Sequence, residues 1–229
     1  MIQIIRLSVK LNNKWILDDI QQNFNEGLVH GIVGLNGAGK TTLFNTLAGI
    51  IKPSKGKILY KDKPLLFSEI GYLEAANFFY SGITGTEHLN IFSKTNPDFD
   101  VQAFNQLTRI PLNNLITTYS SGMKKKLAVL ALIKKDNPIY ILDEPFNSLD
   151  FESAKVLELI IQNLKEKEKT VFVSSHIIDP LLTTCDKIYL LENGCFVKTY
   201  FKTDFSKIEG DLFGSIGAGL AVEAQRRFG

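Results

Sequence analysis

The sequence is poor in cysteine, and the spacing of the few cysteines gives no sign of a metal site. Cys185 and Cys195 are the only two among 229 residues, and they fall outside any metal-ligand spacing. Spacing alone leaves a disulfide between them open, but we interpret both as structural side chains. A cysteine-bound metal is therefore not indicated.

Long apolar runs are also missing. No apolar segment approaches the roughly 18 residues that a membrane-spanning helix requires. The first six residues, MIQIIR, lack the charged and apolar regions of a signal peptide. We therefore expect any role at a membrane to depend on a partner protein.

The sequence has almost no net charge. It contains 26 Lys and Arg against 24 Asp and Glu, a formal net charge of +2. This balance gives no reason to expect nucleic acid as a partner. Hydrophobic residues at 45% and charged residues at 22% are ordinary for a globular protein. The length allows one large domain, or a core domain with a small insertion.

The sequence does contain a glycine-rich loop, GLNGAGKT, at residues 34–41. It fills every fixed position of the phosphate-binding pattern G-x-x-x-x-G-K-[ST]. Lys40 is expected to contact the β- and γ-phosphates, and the Thr41 hydroxyl to bind Mg²⁺. A strand-like run (28–33) and a helix-like run (42–50) flank the loop and favour this interpretation over a simple glycine-rich turn. The predicted nucleotide contacts are Gly34, Leu35, Asn36, Gly37, Ala38, Gly39, Lys40, Thr41 and Thr42.

A second candidate site follows the apolar run at residues 139–142. Its two next residues are Asp143 and Glu144, and buried parallel strands bind ligands at this carboxyl end. Asp143 is suited to hold Mg²⁺, and Glu144 to polarise a water that attacks the γ-phosphate. A solvated acidic pair that opens a loop is the alternative. His176, after the strand-like run 170–175, is predicted to contact the γ-phosphate, whereas His30 and His88 are interpreted as structural.

The order of the predicted elements indicates an α/β fold. Short strands at residues 2–24 and 57–60 predict an antiparallel N-terminal β subdomain beside a mixed sheet. Helices are predicted at residues 87–93, 99–107, 123–133 and 151–169, and those before residue 133 form a candidate insertion. The predicted class is a P-loop NTPase core with an inserted helical subdomain. We place the ATPase domain at 1–205, the insertion at about 77–133, and a C-terminal tail of unknown role at 206–229.

Four further strings carry a family resemblance. Residues 120–123, SSGM, open a predicted helix and resemble the LSGGQ-type signature of ABC (ATP-binding cassette) ATPases. Residues 141–145, ILDEP, resemble the Walker B string of that family, 148–150, SLD, its D-loop, and 174–176, SSH, its switch histidine. Order and spacing match along roughly residues 1–200. YSxGM-type signatures are similar to those of bacterial exporter-type cassettes.

The resemblance implies an ATPase subunit of an ABC transporter. In that family two subunits form a head-to-tail dimer, homo- or heteromeric, around two ATP molecules with Mg²⁺. It drives separately encoded transmembrane permease subunits from the cytoplasmic face of the membrane. Glu144 would assist the attacking water, while Lys40 and His176 would stabilise charge. Thr41 and Asp143 would hold Mg²⁺. Contacts to nucleotide, some across the dimer, would come from Ser120, Ser121, Gly122, Met123 and Asp150.

The sequence departs from the family pattern at three places. Leu11 stands where the family usually has an aromatic residue under the adenine, and Trp15 is a candidate substitute, with ordinary packing as the alternative. Ala75 stands where a glutamine or glutamate normally enters the helical subdomain, with Glu74 one place early. In the signature, Ser121 replaces a glycine and Met123 a glutamine. We interpret the lysines at 124–126 as a solvated helix face.

Two other functions remain open at this stage. One is a soluble ABC-type ATPase without transport, for example in metal-cluster assembly. No sustained heptads indicate the coiled coil of the DNA-repair members, and a single phosphate loop argues against the two-cassette translation type. The other is a regulatory nucleotide-binding module that hydrolyses little ATP, which the missing loop glutamine favours.

Overall fold

Two β-sheets and a set of helices form the part of the chain that the computed structural model describes, residues 1–91 and 99–212. The strands are listed here in chain order with their bounds. They are β1 (Ile2–Leu11), β2 (Lys14–Phe24), β3 (Val29–Val33), β4 (Lys55–Tyr60), β5 (Lys63–Pro64), β6 (Ile70–Leu73), β7 (Ile139–Leu142), β8 (Thr170–Ser175), β9 (Lys187–Glu192) and β10 (Cys195–Phe201).

Six α-helices connect or cover these strands in the described ranges. They are α1 (Lys40–Leu47), α2 (Gly85–Asn90), α3 (Val101–Thr108), α4 (Ser121–Ile133), α5 (Phe151–Glu166) and α6 (Asp179–Thr184). Three short 3₁₀ turns lie at Phe67–Glu69, Ile116–Thr118 and Lys202–Lys207. None of the helices in the described ranges combines the length and the hydropathy needed to cross a membrane.

The smaller sheet is antiparallel, with the strand order β2-β1-β4-β5. The larger sheet has the order β10-β9-β3-β8-β7-β6. In this sheet the neighbouring strands β9, β3, β8, β7 and β6 pair in parallel. Strand β10 pairs with β9 as an antiparallel edge strand. The mixed sheet and the separate antiparallel sheet therefore confirm the predicted fold class.

The parallel strands are buried on both faces, which explains why they are continuous apolar runs in the sequence. On β8, Val171 and Val173 face one hydrophobic cluster that includes residues of α5. Phe172, between them, faces a second cluster that the smaller sheet and α1 complete. A third cluster lies among α2, α4 and the segment 110–119. The central strands are thus held rigidly, and the loops at their carboxyl ends have fixed positions.

Several predicted boundaries differ from the structure. The two short segments expected within residues 15–24 are one strand, β2, whose pairing with β1 shifts register several times. Helix α1 ends at Leu47 rather than near residue 50, because Gly49 follows with a φ of 73°. Helix α2 begins at Gly85, two residues early, because Thr84 caps it in a capping box with Glu87. The end of that predicted helix, at Ser93, lies outside the described residues.

The predicted C-terminal tail is in part a packed segment. Ile208 is fully buried and Leu212 is 7% exposed, and both belong to the hydrophobic cluster beside α5. Asp211 accepts a hydrogen bond of 2.7 Å from the Tyr200 hydroxyl. The segment 206–212 therefore packs with the core, while the domain boundary at residue 205 stays a prediction. The rest of the predicted tail, 213–229, lies outside the described residues.

Candidate functional site

The phosphate loop connects β3 to α1, and its glycines have conformations that few other residues adopt. Gly37 and Gly39 have φ values of 83° and 109°. A Cβ atom at Gly39 would also lie 2.9 Å from Leu17 Cδ2. Lys40, the first residue of α1, turns back into the loop, where Nζ donates hydrogen bonds to Gly34 O at 2.8 Å and to Leu35 O at 3.4 Å. The loop thus presents a helix N-terminus and a cation at one place, as phosphate binding requires.

Asp143 lies directly behind the first turn of α1. Its side chain is completely buried. The Thr41 hydroxyl donates to Asp143 Oδ2 at 2.8 Å, and the Ser174 hydroxyl donates to Oδ1 at 2.5 Å. Leu142 pairs with Val173 in the parallel sheet, so the residues after these partners emerge side by side. The structure therefore brings together the two residues that the sequence predicts as Mg²⁺ ligands.

Glu144 occupies a restrained position beside Asp143. Its φ is 48°, a left-handed conformation that is uncommon outside glycine and typical of functional sites. Its backbone N–H donates to Ser174 Oγ at 2.8 Å. One carboxylate oxygen lies 2.9 Å from His176 Nδ1, and the other lies 3.7 Å from Lys40 Nζ. Glu144 therefore contacts both of the other residues predicted to be catalytic, Lys40 and His176.

Ser174 is a site residue that sequence reasoning missed. It is completely buried, and its single hydroxyl contacts both the Asp143 carboxylate and the Glu144 amide. The available signal was its place at the end of β8, two residues before His176. A serine hydroxyl that is completely buried is expected to have hydrogen-bond partners.

The signature-like segment lies at the N-terminus of α4. Ser120 caps this helix by accepting a hydrogen bond of 3.2 Å from the Met123 backbone. Ser120 and Ser121 are exposed. A Cβ atom at Gly122 would lie 3.7 Å from Ser148 O, so this segment adjoins the D-loop-like residues. In the described ranges, no hydrogen bond or ion pair of residues 120–123 reaches residues 34–42 of the same chain.

Asp150 caps the neighbouring helix α5. Its carboxylate accepts the Ser153 backbone N–H at 2.7 Å, and hydrogen bonds from Ser153 hold the pKa of Asp150 below its usual value, with a smaller contribution from Lys126. Phe151 follows it and is 90% exposed. Two capped helix N-termini and an exposed aromatic ring thus lie on one surface. The predicted nucleotide contact of Asp150 stays a prediction.

Trp15 has a different environment from the phosphate loop. Its ring is 42% exposed and lies under two amino groups, with Lys10 Nζ at 5.6 Å and Lys55 Nζ at 5.2 Å from the ring centre. These are cation–π contacts, which are favourable for an indole ring. The residues of β2 that reach the loop are instead Ile16 and Leu17, which lie against Gly39. An adenine contact by Trp15 stays a prediction.

The loop after β6 contacts both α4 and Asp143. The Asp143 backbone N–H donates to Leu73 O at 2.9 Å. Lys125, only 7% exposed, donates from Nζ to Ala75 O at 3.3 Å. The interpretation of the lysines at 124–126 as a solvated face is therefore wrong for Lys125, whose position on α4 turns inward. Burial lowers the pKa of Lys125, and the negative charges of Asp143 and Glu144 oppose that change.

The remaining cysteines and histidines have structural environments. Cys185 and Cys195 are both free thiols. Burial raises the pKa of Cys185 to about 12, and Cys195 donates to Asp18 O at 3.2 Å. His30 is completely buried, and burial lowers its pKa to about 4.

The residues around Thr41 fit a magnesium ion. Mg²⁺ prefers hard oxygen ligands, and proteins usually bind it through one or two carboxylates, with phosphates and water completing the shell. The Thr41 hydroxyl and the Asp143 carboxylate are 2.8 Å apart and supply such oxygens. Across residues 1–91 and 99–212, no three acidic, histidine or cysteine side chains cluster as a metal site. These side chains therefore suit an ion that is bound together with a nucleotide rather than one held by protein alone.

This fold and site define a class of protein. A glycine-rich loop between a buried strand and a helix, with carboxylates at the end of a nearby parallel strand, is the arrangement of P-loop nucleotide-binding proteins. The ABC transporter family profile matches residues 17–147, more than half of the chain. The chain therefore belongs to the ABC transporter family, as an ATP-binding cassette with ATPase activity.

Individual relatives agree with this assignment. An uncharacterised ABC transporter ATP-binding protein of Bacillus subtilis is 27% identical over 207 residues, covering 85% of this chain and 94% of that protein. The bacitracin transport ATP-binding protein of Bacillus licheniformis is 31% identical over 190 residues, covering 78% of this chain and 62% of that protein. Both similarities extend over most of the described chain.

Solved structures share the fold. An ATP-binding subunit of an ABC transporter has a TM-score of 0.83 at 24% identity, covering 98% of this chain and 99% of that one. A dimeric ATP-binding cassette in a post-hydrolysis state, bound to ADP and Pi, has a TM-score of 0.77 at 19% identity, covering 88% of this chain and 99% of that one. At these identities the likeness establishes the architecture.

Proposed function

We propose that this chain is the ATP-hydrolysing subunit of a bacterial, exporter-type ABC transporter, and that it works as a head-to-tail dimer on separately encoded membrane subunits. The observation that carries the proposal is the contact of Glu144 with both His176 and Lys40, next to the Thr41–Asp143 pair. This arrangement places an acceptor for the proton of water beside groups that suit a terminal phosphate.

Each residue has a defined part in this proposal. Lys40 and the loop amides bind the β- and γ-phosphates. Glu144 accepts the proton of the attacking water, and His176, bonded to the same carboxylate, orients it and contacts the γ-phosphate. Thr41 and Asp143 hold Mg²⁺, which supplies positive charge to the phosphate oxygens when it is bound. These groups are already in position to stabilise the negative charge that develops on the leaving phosphates.

The second half of the site comes from another subunit. The exposed N-terminus of α4, with Ser120 to Met123, would bind the γ-phosphate of the nucleotide held by the partner. An unfilled helix N-terminus with capping serines is suited to an anion. Asp150 and the 90% exposed Phe151 would then lie at the dimer interface. Homodimer and heterodimer are both compatible with this arrangement.

A membrane partner has a suitable surface on the other side of α4. A cavity of about 230 Å³ lies between the loop after β6 and α4, and Phe78 at its edge is 79% exposed. The rings of Phe78 and Tyr80 meet edge to face at 5.4 Å. Exposed aromatic groups beside a cavity are typical of protein interaction sites. We propose that permease subunits dock here, which would hold the chain at the cytoplasmic face of the membrane.

The domain assignment follows from the same proposal. The helical subdomain covers about residues 77–133 and carries both the signature-like segment and the docking surface. The ATP-binding core comprises the rest of the chain as far as residue 205, together with the packed segment 206–212.

Glu144→Gln tests the proposed role in hydrolysis. We expect ATP turnover to fall by roughly 100-fold or more, since a general base contributes about that factor. Binding of ATP should persist and should trap a dimer, measured by light scattering after size exclusion. Glu166→Gln, on the exposed surface of α5, is the matched control and should hydrolyse ATP as wild type does. An unchanged rate in Glu144→Gln would overturn the role of Glu144. A wild-type rate of zero with the membrane partner present would favour the regulatory alternative.

A further inference from the structure

A buried lysine links the signature-like helix to the metal carboxylate, and the site as described above does not use it. Lys125 lies in the second turn of α4, four residues after the Ser121 that begins the helix. Its Nζ donates to Ala75 O, in the loop that follows β6. Two residues before Ala75, Leu73 at the end of β6 accepts the backbone N–H of Asp143 through its carbonyl oxygen. Two hydrogen bonds thus connect α4 to the end of β7.

The side chain of Lys125 is an unusual choice for this place. A buried ammonium is destabilising unless opposite charges and hydrogen-bond acceptors surround it. Among the described residues, Lys125 donates to a neutral carbonyl, Ala75 O, at 3.3 Å, which is a long bond. The carboxylates of Asp143 and Glu144 are the negative charges that act on it. Lys125 therefore joins the loop at Ala75 by a hydrogen bond and lies where its charge acts on the acidic pair.

We propose that Lys125 is a positioning residue that couples the signature-like end of α4 to Asp143 and Glu144. This inference rests on the proposed function, because it assumes that the N-terminus of α4 binds phosphate from a partner subunit. When that end of the helix shifts, Lys125 moves with it. The positive charge then changes position, and the loop bound through Ala75 O moves as well. The carboxylate pair then receives the change through the Leu73 hydrogen bond and through the altered field.

Position 75 takes part in this link through its backbone carbonyl. The polar group of the link comes from α4 and not from the loop. In this chain the group projects from α4 toward the loop and binds the backbone of Ala75. The methyl side chain of Ala75 itself supplies no polar atom.

The test measures how Mg²⁺ tightens the binding of a non-hydrolysable ATP analogue to the full-length chain. Lys125→Met removes the charge and keeps the length of the side chain. We expect the dissociation constant without Mg²⁺ to stay the same. The tightening by Mg²⁺ should be reduced by about 3- to 30-fold, the range of couplings carried by such networks, because the lost link to α4 outweighs the more negative field at the acidic pair. Lys125→Arg keeps the charge and should recover most of the tightening. Lys124→Met, one residue earlier and half-exposed, is the matched control and should behave as wild type.

Several outcomes would overturn the inference. Wild-type tightening by Mg²⁺ in a folded Lys125→Met protein would do so, and so would an equal loss of binding with and without Mg²⁺, which indicates a purely structural role. If Lys125→Met does not fold, Lys125→Leu serves instead, since it also removes both the charge and the hydrogen bond to Ala75 O. Full tightening in that variant would equally contradict the proposal. Because binding is measured without turnover, Lys125 is tested separately from Glu144→Gln.

Discussion

The hydroxyl of Ser174 donates a hydrogen bond of 2.5 Å to the carboxylate of Asp143, across the ends of two adjacent parallel strands. The same hydroxyl oxygen accepts the backbone N–H of Glu144. One buried side chain therefore orients the predicted Mg²⁺ ligand and the backbone of the predicted base. Its effect is on the relative positions of these two residues.

Replacing Ser174 by alanine should lower ATP turnover by about 10- to 100-fold, the usual effect of losing a partner that orients a metal ligand. The buried Asp143 oxygen and the Glu144 amide both lose a partner, so the concentration of Mg²⁺ needed for half-maximal turnover should also rise. Turnover measured against Mg²⁺ concentration checks both effects.

Ser175→Ala is the control for this prediction, because the Ser175 hydroxyl accepts only the backbone N–H of Ile177 in the described structure. It should reduce turnover much less. Equal effects of the two alanine variants would show that general damage to β8, rather than the Asp143 contact, explains the loss.

Gly39→Ala should abolish tight ATP binding. The backbone at Gly39 has a φ of 109°, and the added methyl group would lie 2.9 Å from Leu17 and 3.2 Å from the Ile16 carbonyl. Strain of about 1–3 kcal/mol should deform the loop, because α1 begins at the next residue. Isothermal titration with ATP measures the loss, which we expect to exceed tenfold.

Gly49→Ala is the control that tests whether backbone strain away from the phosphate loop weakens ATP binding. Gly49 also has a positive φ, 73°, but a Cβ atom there meets nothing within 4 Å, and the residue lies at the far end of α1. We expect a similar or smaller loss of stability and unchanged ATP binding. Weakened binding in this variant would indicate that global destabilisation, not loop geometry, governs the result for Gly39.

The sequence predicts best those site residues whose positions follow from the pattern of their neighbours along the chain. The phosphate loop, Asp143 and Glu144 each follow a buried strand, and local pattern is enough to place them at the same sheet edge. Ser174 offers only its place at the end of β8 as a signal, because its partners Asp143 and Glu144 are 31 and 30 residues away and meet it only through strand pairing. Register between parallel strands is a property of the whole sheet.

The interpretation of Lys125 as part of a solvated helix face is wrong for a different reason. Three consecutive lysines suggest a solvated face, yet a helix turns by 100° per residue and three neighbours cannot share one face. Lys125, Val129 and Leu132 have the spacing i, i+4, i+7, and all three are buried. The spacing of Lys125 from Val129 and Leu132 therefore predicts that Lys125 faces inward, although the three consecutive charges suggest an exposed face. Ile208 and Leu212 are likewise buried, although they lie in the segment predicted to be a C-terminal tail.

The exposed ring of Phe151 should contribute to the dimer interface. It is 90% exposed at the start of α5, next to Asp150 and close to the signature-like segment. In the Glu144→Gln background, Phe151→Asp should reduce the ATP-dependent dimer by about tenfold or more, since an interfacial carboxylate is buried without a partner. Sedimentation velocity with ATP measures the dimer fraction. Phe67→Asp, at an equally apolar and 61% exposed site before β6, should leave the dimer unchanged.

His30 should make the stability of the fold depend on pH. The ring is completely buried, Nε2 lies 2.8 Å from Asn25 O, and Nδ1 lies 3.3 Å from the Tyr189 hydroxyl, an arrangement that suits the neutral form. Burial lowers the pKa from 6.5 to about 4. Between these values the unfolded chain binds the extra proton and the folded chain does not. Stability is therefore complete above pH 6.5 and is lost as the pH falls toward 4, by about 2 kcal/mol at pH 5.

Urea unfolding at pH 7.5 and pH 5 tests this effect in wild type and in His30→Gln. Glutamine can still donate to the Asn25 carbonyl, but it does not titrate in this range. The variant should be less stable at pH 7.5, because it packs less well among the rings of Phe24 and Phe172. Between the two pH values, however, it should lose about 2 kcal/mol less than wild type does. If both proteins lose the same free energy of unfolding, acid sensitivity arises elsewhere and His30 is not its source.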